Sequence, residues 1–261
     1  MKVAIIAIAK NEQLYIKEWL EYHLKIGFDT IIIADNDDEL ILSDYASEKV
    51  KIEDYRGIDK VQSKAYTELF KKYRNDYDWI AFFDIDEFLV LDGYTDVKEF
   101  LSGFNADEIR LNCKHFTDND ELDVIDGNYN VFDRFIYEAG NTDLDRFVKC
   151  FINCRINKDD VAIYGHGIYD NSINAVDVLN NQIIADSRKT KNLLFIKAWF
   201  NHYRTKTIGE YIRQKYNRGG ANNNPSRYSD WENYFFRTNT KTEEKINYAN
   251  KLINNEIYTK F

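Results

Sequence analysis

A short apolar run that ends in carboxylates constrains this chain more than any other stretch. Residues Trp79 to Phe83 are apolar and rich in aromatic rings, and Asp84 and Asp86 follow at once. A run of this length and composition favours a strand that is buried on both faces of a sheet. Side chains two residues apart on an extended chain point the same way. The two aspartates can therefore serve one hard divalent cation and the phosphates that it carries.

The Asp-x-Asp pattern is weak evidence by itself, because it occurs five times in this acidic chain. Two of the five pairs directly follow an apolar run: Asp84/Asp86, and Asp35/Asp37 after residues 31–34. In an open α/β sheet, ligands bind at the carboxyl ends of the strands. These two pairs are predicted to lie at such an edge, with a solvated turn as the alternative interpretation of each.

Strand-like runs and amphipathic segments alternate through the first 112 residues. The apolar runs predict strands at residues 3–9, 30–34, 50–53, 79–83 and 107–112. Helical periodicity predicts helices at about 13–26 and 60–73, and Thr95 is expected to cap a short helix that runs through Leu101. This alternation predicts an α/β fold, a doubly wound and mostly parallel sheet with crossover helices.

The rest of the chain is less regular. It predicts strands at 130–137, 147–156, 161–164 and 193–200, then helices at 207–218, 229–236 and 242–257. No internal repeat or linker marks a second independent domain. We expect one catalytic domain over 1–205, with a nucleotide-binding half (1–112) and an acceptor-side half (113–205), and a C-terminal helical extension (206–261) packed on that domain.

Charge and cysteine usage exclude several classes of protein. A net charge of −9 argues against a nucleic-acid partner, which requires a basic surface. Three cysteines without a Cys-x-x-Cys pair indicate reduced thiols in a cytoplasmic protein. The first apolar run is too short for a signal peptide, and no run predicts a transmembrane segment. A basic segment near the C-terminal side could still bring the protein to the inner face of a membrane as a peripheral protein.

Several separated motifs occur in a fixed order along the chain. They are Lys10-Asn11-Glu12, Trp19-Leu20-Glu21-Tyr22-His23, Ala34-Asp35-Asn36, Asp84-Ile85-Asp86-Glu87-Phe88 and Asn201-His202-Tyr203. This ordered set resembles the bacterial glycosyltransferases of the GT-A fold, in a family-2-like group that is related to glycosyltransferase family 92. The resemblance implies a Rossmann-like GT-A sheet with flanking helices.

The resemblance also implies an activity and a metal site. The implied activity would be metal-dependent, inverting transfer of a hexose from a UDP-sugar to a cell-surface polysaccharide or lipid-linked glycan acceptor. Asp86 would bind Mn²⁺ or Mg²⁺, Asp84 would be its partner, and His202 would be a further ligand. His166, between two glycines, is the alternative histidine. Bond cleavage leaves a charged diphosphate, which a divalent cation stabilises as a Lewis acid.

Further candidates concern the nucleotide and the acceptor. By resemblance, Asn11 and Glu12 lie near the ribose, Asp35 binds the base, and Gln62 matches a recurring family position. A helix cap explains Asn11 and Glu12 equally well. The basic residues that could meet the diphosphate include Lys149 and Arg218, the latter in a glycine-rich loop suited to a lid.

An inverting transferase needs a carboxylate to accept the proton of the acceptor hydroxyl. Asp118 and Asp120 are our catalytic candidates, although nothing in their spacing separates them from Asp143 and Asp145.

Two other functions fit parts of the pattern. A transferase-like domain could bind a nucleotide sugar or glycan without catalysis. A haloacid-dehalogenase-type phosphatase also uses Asp-x-Asp, but on its first strand and with Thr or Val two residues after the second aspartate. Here the motif follows the fourth predicted strand, and Phe88 occupies that position.

Overall fold

The computed structural model describes residues 1–39, 41–124, 127–158, 160–185, 187–216 and 231–254. The chain divides into two compact units. Residues 1–114 and 142–201 form the first, which we call the sheet unit. Residues 115–141 and those from 202 onward form the second, the helical unit. None of the described helices is long and apolar enough to cross a membrane.

The described strands form one sheet in the order β3-β2-β1-β4-β7-β6-β9-β5, with β8 paired to β6. The strands are β1 (Val3–Ala9), β2 (Thr30–Asp35), β3 (Val50–Asp54), β4 (Trp79–Phe82), β5 (Glu87–Leu91), β6 (Glu108–His115), β7 (Val148–Asn153), β8 (Ala175–Val176) and β9 (Ala198–His202). The pairs β3–β2, β2–β1 and β1–β4 are all parallel, as the alternation predicts. Strand β7 is antiparallel to both β4 and β6, so the parallel half ends at β4.

Eight α-helices are described. They are α1 (Ile16–Lys25), α2 (Gln62–Tyr73), α3 (Val97–Ser102), α4 (Val131–Arg134), α5 (Thr142–Asp145), α6 (Ile208–Tyr211), α7 (Trp231–Thr238) and α8 (Glu243–Ile253). A 3₁₀ turn at Ile41–Tyr45 follows β2, and α6 continues as a π-helix over Ile212–Tyr216.

The central strands are buried on both faces because most of their side chains are apolar. Every residue of β2 and of β4 is buried. Alternate residues of β1, β2 and β4 join the stripe of α2 in one core cluster, which includes Ile6, Ile32, Phe82, Leu69 and Phe70. Successive side chains of a strand point to opposite faces, so the remaining apolar residues fill the opposite face.

Helix α1 packs on the rest of the sheet unit through a buried hydrogen bond and ring contacts. The Trp19 indole donates to the Glu87 carbonyl oxygen at 2.8 Å. The His23 ring lies among Phe28, Phe83 and Phe88, with centroid distances of 5.7 to 5.9 Å. Its buried position agrees with helical spacing on the inner face of α1.

Some local predictions were wrong for identifiable reasons. Asp96, not Thr95, caps α3, because the Asp96 carboxylate accepts from the backbone N–H of Lys98 and of Glu99, each at 2.8 Å. Residues 130–137 contain helix α4 instead of a strand. Residues 161–164 form no strand and carry one isolated bridge, Tyr164 to Gly167.

Ion pairs connect segment 115–141 to the helices of the helical unit, and the pair of Arg134 with Glu210 is buried. Arg134 pairs with Glu121 at 3.0 Å and with Glu210, in α6, at 2.8 Å. Asp123 pairs with Arg213 in the π-helix. Apolar residues of α6, the π-helix, α7 and α8 form the core of this unit, including Tyr211, Tyr234, Phe235 and Ala249.

Candidate active site

A tight turn after β4 brings three carboxylates together in the sheet unit. Oxygen atoms of Asp84, Asp86 and Glu87 all lie within 4.8 Å of one another. The turn closes because the Glu87 N–H donates to the Asp84 carbonyl oxygen, while the Asp84 N–H donates to Glu87 Oε2 at 2.9 Å. Asp86 and Glu87 are buried, and Asp84 is half-buried. Hard carboxylate oxygens are the ligands that Mg²⁺ and Mn²⁺ prefer, so this donor set fits such a cation.

A buried lysine lies inside the carboxylate group. Lys149 Nζ is 2.6 Å from Asp84 Oδ2 and 3.1 Å from Glu87 Oε2, and the Lys149 side chain is 2% exposed. Its place follows from the strand register, because antiparallel β7 sets Cys150 opposite Phe82, the last residue of β4. Lys149 therefore comes next to the carboxyl end of β4. Lys149 thus contacts the carboxylates, whereas the sequence suggested it as a candidate to meet the diphosphate.

Helix α2 supplies two further donors to Asp84. Gln62 Nε2 donates to Asp84 Oδ1 at 3.0 Å, and the Tyr66 hydroxyl lies 3.4 Å from the same oxygen. With Lys149 on the other oxygen, the Asp84 carboxylate is held in one orientation. Gln62 and Asp84, both predicted from the resemblance, are thus brought into direct contact.

Burial and charge oppose each other in this group. Burial raises the pKa of Glu87, against the positive charge of Lys149, and Asp84 and Asp86 add to the rise. Burial by itself would lower the pKa of Lys149, but Asp84 and Glu87 outweigh it and raise that pKa well above its usual value. A buried charge is tolerated only with such partners.

A glycine-flanked histidine lies beside β7. His166 Nδ1 is 2.8 Å from the Val148 carbonyl oxygen, which fixes the orientation of the ring. A Cβ at Gly165 would be 3.2 Å from Gln62 Oε1, so this backbone contacts the residue that orients Asp84. Metal-binding histidines commonly donate their second ring N–H to a backbone carbonyl in this way.

The end of β1 forms the neighbouring edge of the sheet. Asn11 has a positive φ of 57° and donates its N–H to Asp37 Oδ1. The Glu12 carbonyl oxygen accepts from the N–H groups of Tyr15 and Ile16, both at 3.0 Å, and so begins the turn into α1. Glu12 is 6% exposed, and its Oε2 atom has no hydrogen-bond partner among the residues that the structure describes.

The end of β2 carries the predicted base-binding aspartate. Asp35 pairs with Ala9 of β1 in the sheet register and is fully buried. Its oxygens accept from the backbone N–H of Asp37 at 3.1 Å and of Leu42 at 3.4 Å. Burial raises the pKa of Asp35, and the two N–H donors oppose that rise.

The helical unit contains the other predicted residues. The Asp118 carboxylate is buried and accepts from the Tyr234 hydroxyl at 2.6 Å, from Thr240 at 3.0 Å and from Lys245. Asp120 has a φ of 60°, its side chain is 77% exposed, and it accepts from the same Lys245 at 2.9 Å.

Two further predicted residues remain to be located. His202 is 7% exposed, and its ring centroid lies 4.7 Å from that of His115. Arg218 lies outside the described residues.

Comparison with known proteins assigns a family to this chain. The sequence model of glycosyltransferase family 92 matches residues 3–219. The chain belongs to glycosyltransferase family 92. The expected resemblance is therefore confirmed, as are the glycosyltransferase class and the α/β fold.

Two plant proteins match this chain over part of their length. A family 92 protein of Oryza sativa subsp. japonica is 27% identical over 123 residues, which is 44% of this chain and 21% of that protein. One of Ricinus communis is 26% identical over 125 residues, which is 44% of this chain and 23% of that protein. This family 92 chain thus matches less than a quarter of the length of either plant relative.

Among solved structures, residues 1–349 of S. aureus TarS in complex with UDP have a TM-score of 0.44 at 15% identity. The match covers 63% of this chain and 51% of that one. For the TarS complex with UDP-GlcNAc, the TM-score is 0.36 at 18% identity, over 44% of this chain and 35% of that one.

Proposed function

We propose that this chain catalyses metal-dependent, inverting transfer of a hexose from a UDP-sugar to a cell-surface polysaccharide or lipid-linked glycan. The observation that carries the proposal is the group of Asp84, Asp86 and Glu87 at the carboxyl end of β4. The ends of β1 and β2 lie at the same edge of a parallel sheet. That edge is where open α/β sheets bind nucleotides.

Asp86 and Asp84 would hold Mn²⁺ or Mg²⁺. A bound divalent cation would supply Lewis-acid stabilisation of the diphosphate as the bond to the sugar breaks. Gln62, Tyr66 and Lys149 hold the Asp84 carboxylate in place, which lowers the cost of ordering it when substrate binds. His202 remains our proposed additional ligand. His166 is the alternative, supported by its Nδ1 contact with the Val148 carbonyl oxygen.

The nucleoside would bind at the ends of β1 and β2. The buried Glu12 carboxylate can accept from ribose hydroxyl groups, with Asn11 beside it. A carboxylate has about four lone-pair sites. Asp35, which already accepts from two backbone N–H groups, is our proposed acceptor for an N–H of the base. Arg218 is proposed to meet the diphosphate.

A catalytic base is needed to remove the proton of the acceptor hydroxyl. Asp120 is the stronger of our two candidates, because its side chain is 77% exposed. Asp118 has the same chemistry, but its oxygens are engaged by Tyr234, Thr240 and Lys245 in a buried network. We therefore propose that Asp120 accepts the proton and that Asp118 holds the loop in place.

A donor panel tests this function. The purified chain is incubated with UDP-hexoses and Mn²⁺, with and without chelator, and UDP release is measured. We expect release from at least one UDP-hexose, its loss with chelator and its return on adding excess Mn²⁺. Nuclear magnetic resonance of the sugar product would show inversion of the anomeric carbon. UDP binding without turnover would favour an inactive transferase-like domain, and neither binding nor turnover would reject the proposal.

A further inference from the structure

Lys149 places a positive charge within the group of carboxylates that we propose as the metal site. Its Nζ atom contacts Asp84 Oδ2 and Glu87 Oε2, and its side chain is 2% exposed. Strand β7 fixes its position, because Val148 and Cys150 on either side are fully buried in the sheet. The charge is therefore a fixed part of the site and not a mobile surface lysine.

A fixed charge acts with opposite sign on the two ligands of this site. It repels a divalent cation, and it competes with that cation for the Asp84 oxygen that it contacts. It attracts a nucleoside diphosphate, whose oxygens can replace Asp84 as acceptors of the ammonium group. Both effects are large where water is excluded, because charges interact more strongly at low dielectric constant.

We infer that Lys149 couples the two ligands, so that the divalent cation binds weakly alone and tightly together with the nucleoside diphosphate. The inference rests on the proposed function, since it assumes the cation and the diphosphate at this site. Such coupling is reciprocal by thermodynamic linkage. The cation must therefore strengthen nucleotide binding by the same factor that the nucleotide strengthens cation binding.

A simple structural role for Lys149 makes a different prediction. A lysine that only balances the charge of buried carboxylates would contribute to stability. Its loss would weaken the binding of both ligands or of neither. A coupling lysine changes the two affinities in opposite directions. The direction of the two changes therefore separates the two roles.

The test measures both affinities in wild-type protein and in Lys149→Met. Free Mn²⁺ is followed by electron paramagnetic resonance during titration without nucleotide, and UDP binding at saturating Mn²⁺ is followed by calorimetry. We expect Mn²⁺ alone to bind at least about tenfold more tightly to the variant, and UDP with Mn²⁺ at least about tenfold more weakly. Lys71→Met, on the exposed face of α2, is the matched control and should leave both affinities unchanged.

Each other outcome has a defined meaning. If wild-type protein binds no UDP with Mn²⁺, the proposed function fails whatever Lys149 does. If wild-type protein binds UDP with Mn²⁺ but both affinities move together in K149M, or neither moves, the coupling is rejected. UDP binding that needs Lys149 but not Mn²⁺ also rejects it, since the lysine would then replace the cation. If K149M does not fold, the same two affinities are compared between Glu87→Gln and E87Q/K149M. The double variant lacks the buried charge of Glu87, so losing Lys149 leaves only Asp84 without its cation.

Discussion

The backbone of Gly167 lies directly against the carboxylate of Glu108. A Cβ atom at Gly167 would overlap Glu108 Oε1, and the residue has a φ of +126°. Glu108 is fully buried and pairs with Arg110 at 3.0 Å, while Arg110 also donates to the carbonyl oxygens of Ile168 and Ala185. One glycine therefore lets the His166 segment lie against a buried ion pair.

Gly167→Ala should disrupt this contact. We expect a loss of about 3 kcal/mol or more in the free energy of unfolding, because the Cβ must displace one partner of a buried pair. Urea denaturation measures it. Gly57→Ala is the matched control, since Gly57 also has a positive φ of 68° but no atom within 4 Å of its Cβ position, and should lose about 1 kcal/mol. Equal losses in the two variants would show that Glu108 tolerates the methyl group.

His23 predicts a dependence of stability on pH. Burial lowers the pKa of His23 to about 3, although the contact with the Trp19 carbonyl oxygen acts to raise it. In the unfolded chain the pKa of a histidine is about 6.5. Below pH 6.5 the unfolded chain binds a proton that the folded chain refuses, so stability falls as the pH drops toward 3. Between pH 7 and pH 5, His23 should cost about 2 kcal/mol.

Urea denaturation of wild-type protein and His23→Gln at both pH values isolates this contribution. The glutamine variant should be less stable at pH 7, because the Leu89 N–H loses the ring nitrogen His23 Nε2 as its acceptor. The loss of unfolding free energy between pH 7 and pH 5 should be about 2 kcal/mol smaller in the variant than in wild-type protein. The same difference in both proteins would mean that His23 does not resist protonation.

Lys245 predicts that α8 stabilises the helical unit. Lys245 is 2% exposed and pairs with Asp118 and Asp120. Lys245→Met should cost about 3 to 5 kcal/mol, because it leaves the buried Asp118 carboxylate without its cation. Lys251→Met, at an exposed position of the same helix, should change stability by less than about 0.5 kcal/mol. Thermal and urea denaturation compare them, and similar stabilities would refute the role of the ion pair.

Asp118 and Asp120 should separate into a structural and a catalytic residue. Asp120→Asn should lower kcat by about 10² to 10⁴, the usual contribution of a general base, with little change in stability. Asp118→Asn should instead lower stability, since a carboxamide places N–H groups among the donors Tyr234 and Lys245. Steady-state kinetics and urea denaturation on both variants decide. Full turnover in D120N would remove Asp120 as the base.

The parallel half of the fold was predictable because local pattern and burial agree there. The apolar runs of β1, β2 and β4 and the stripe of α2 each mark their own element. The predicted strand at residues 130–137 was wrong for a physical reason. Val131, Arg134 and Phe135 are the buried positions and follow helical spacing, but a buried arginine is understandable only with its distant partners Glu121 and Glu210.

The candidate site divides in the same way. Asp84 and Asp86 follow a strand that the sequence marks clearly, so their position at its end was accessible. The contacts of Lys149 could not be predicted from the sequence, because they depend on the antiparallel pairing of β7 with β4. The available signal was a lysine within the apolar run of residues 148–152. A charge at such a position calls for a buried partner, and the sequence alone does not identify it.

The most direct test of the proposed metal site is calorimetric titration of UDP into wild-type protein, Asp86→Ala and Asp76→Ala, each with Mn²⁺ and with chelator. Asp76 begins another Asp-x-Asp pair, before β4, and is exposed. We expect Mn²⁺-dependent UDP binding in wild-type protein and D76A, and its loss in D86A with an unchanged circular dichroism spectrum. UDP binding by D86A with the wild-type dependence on Mn²⁺ would contradict the assignment of the metal site.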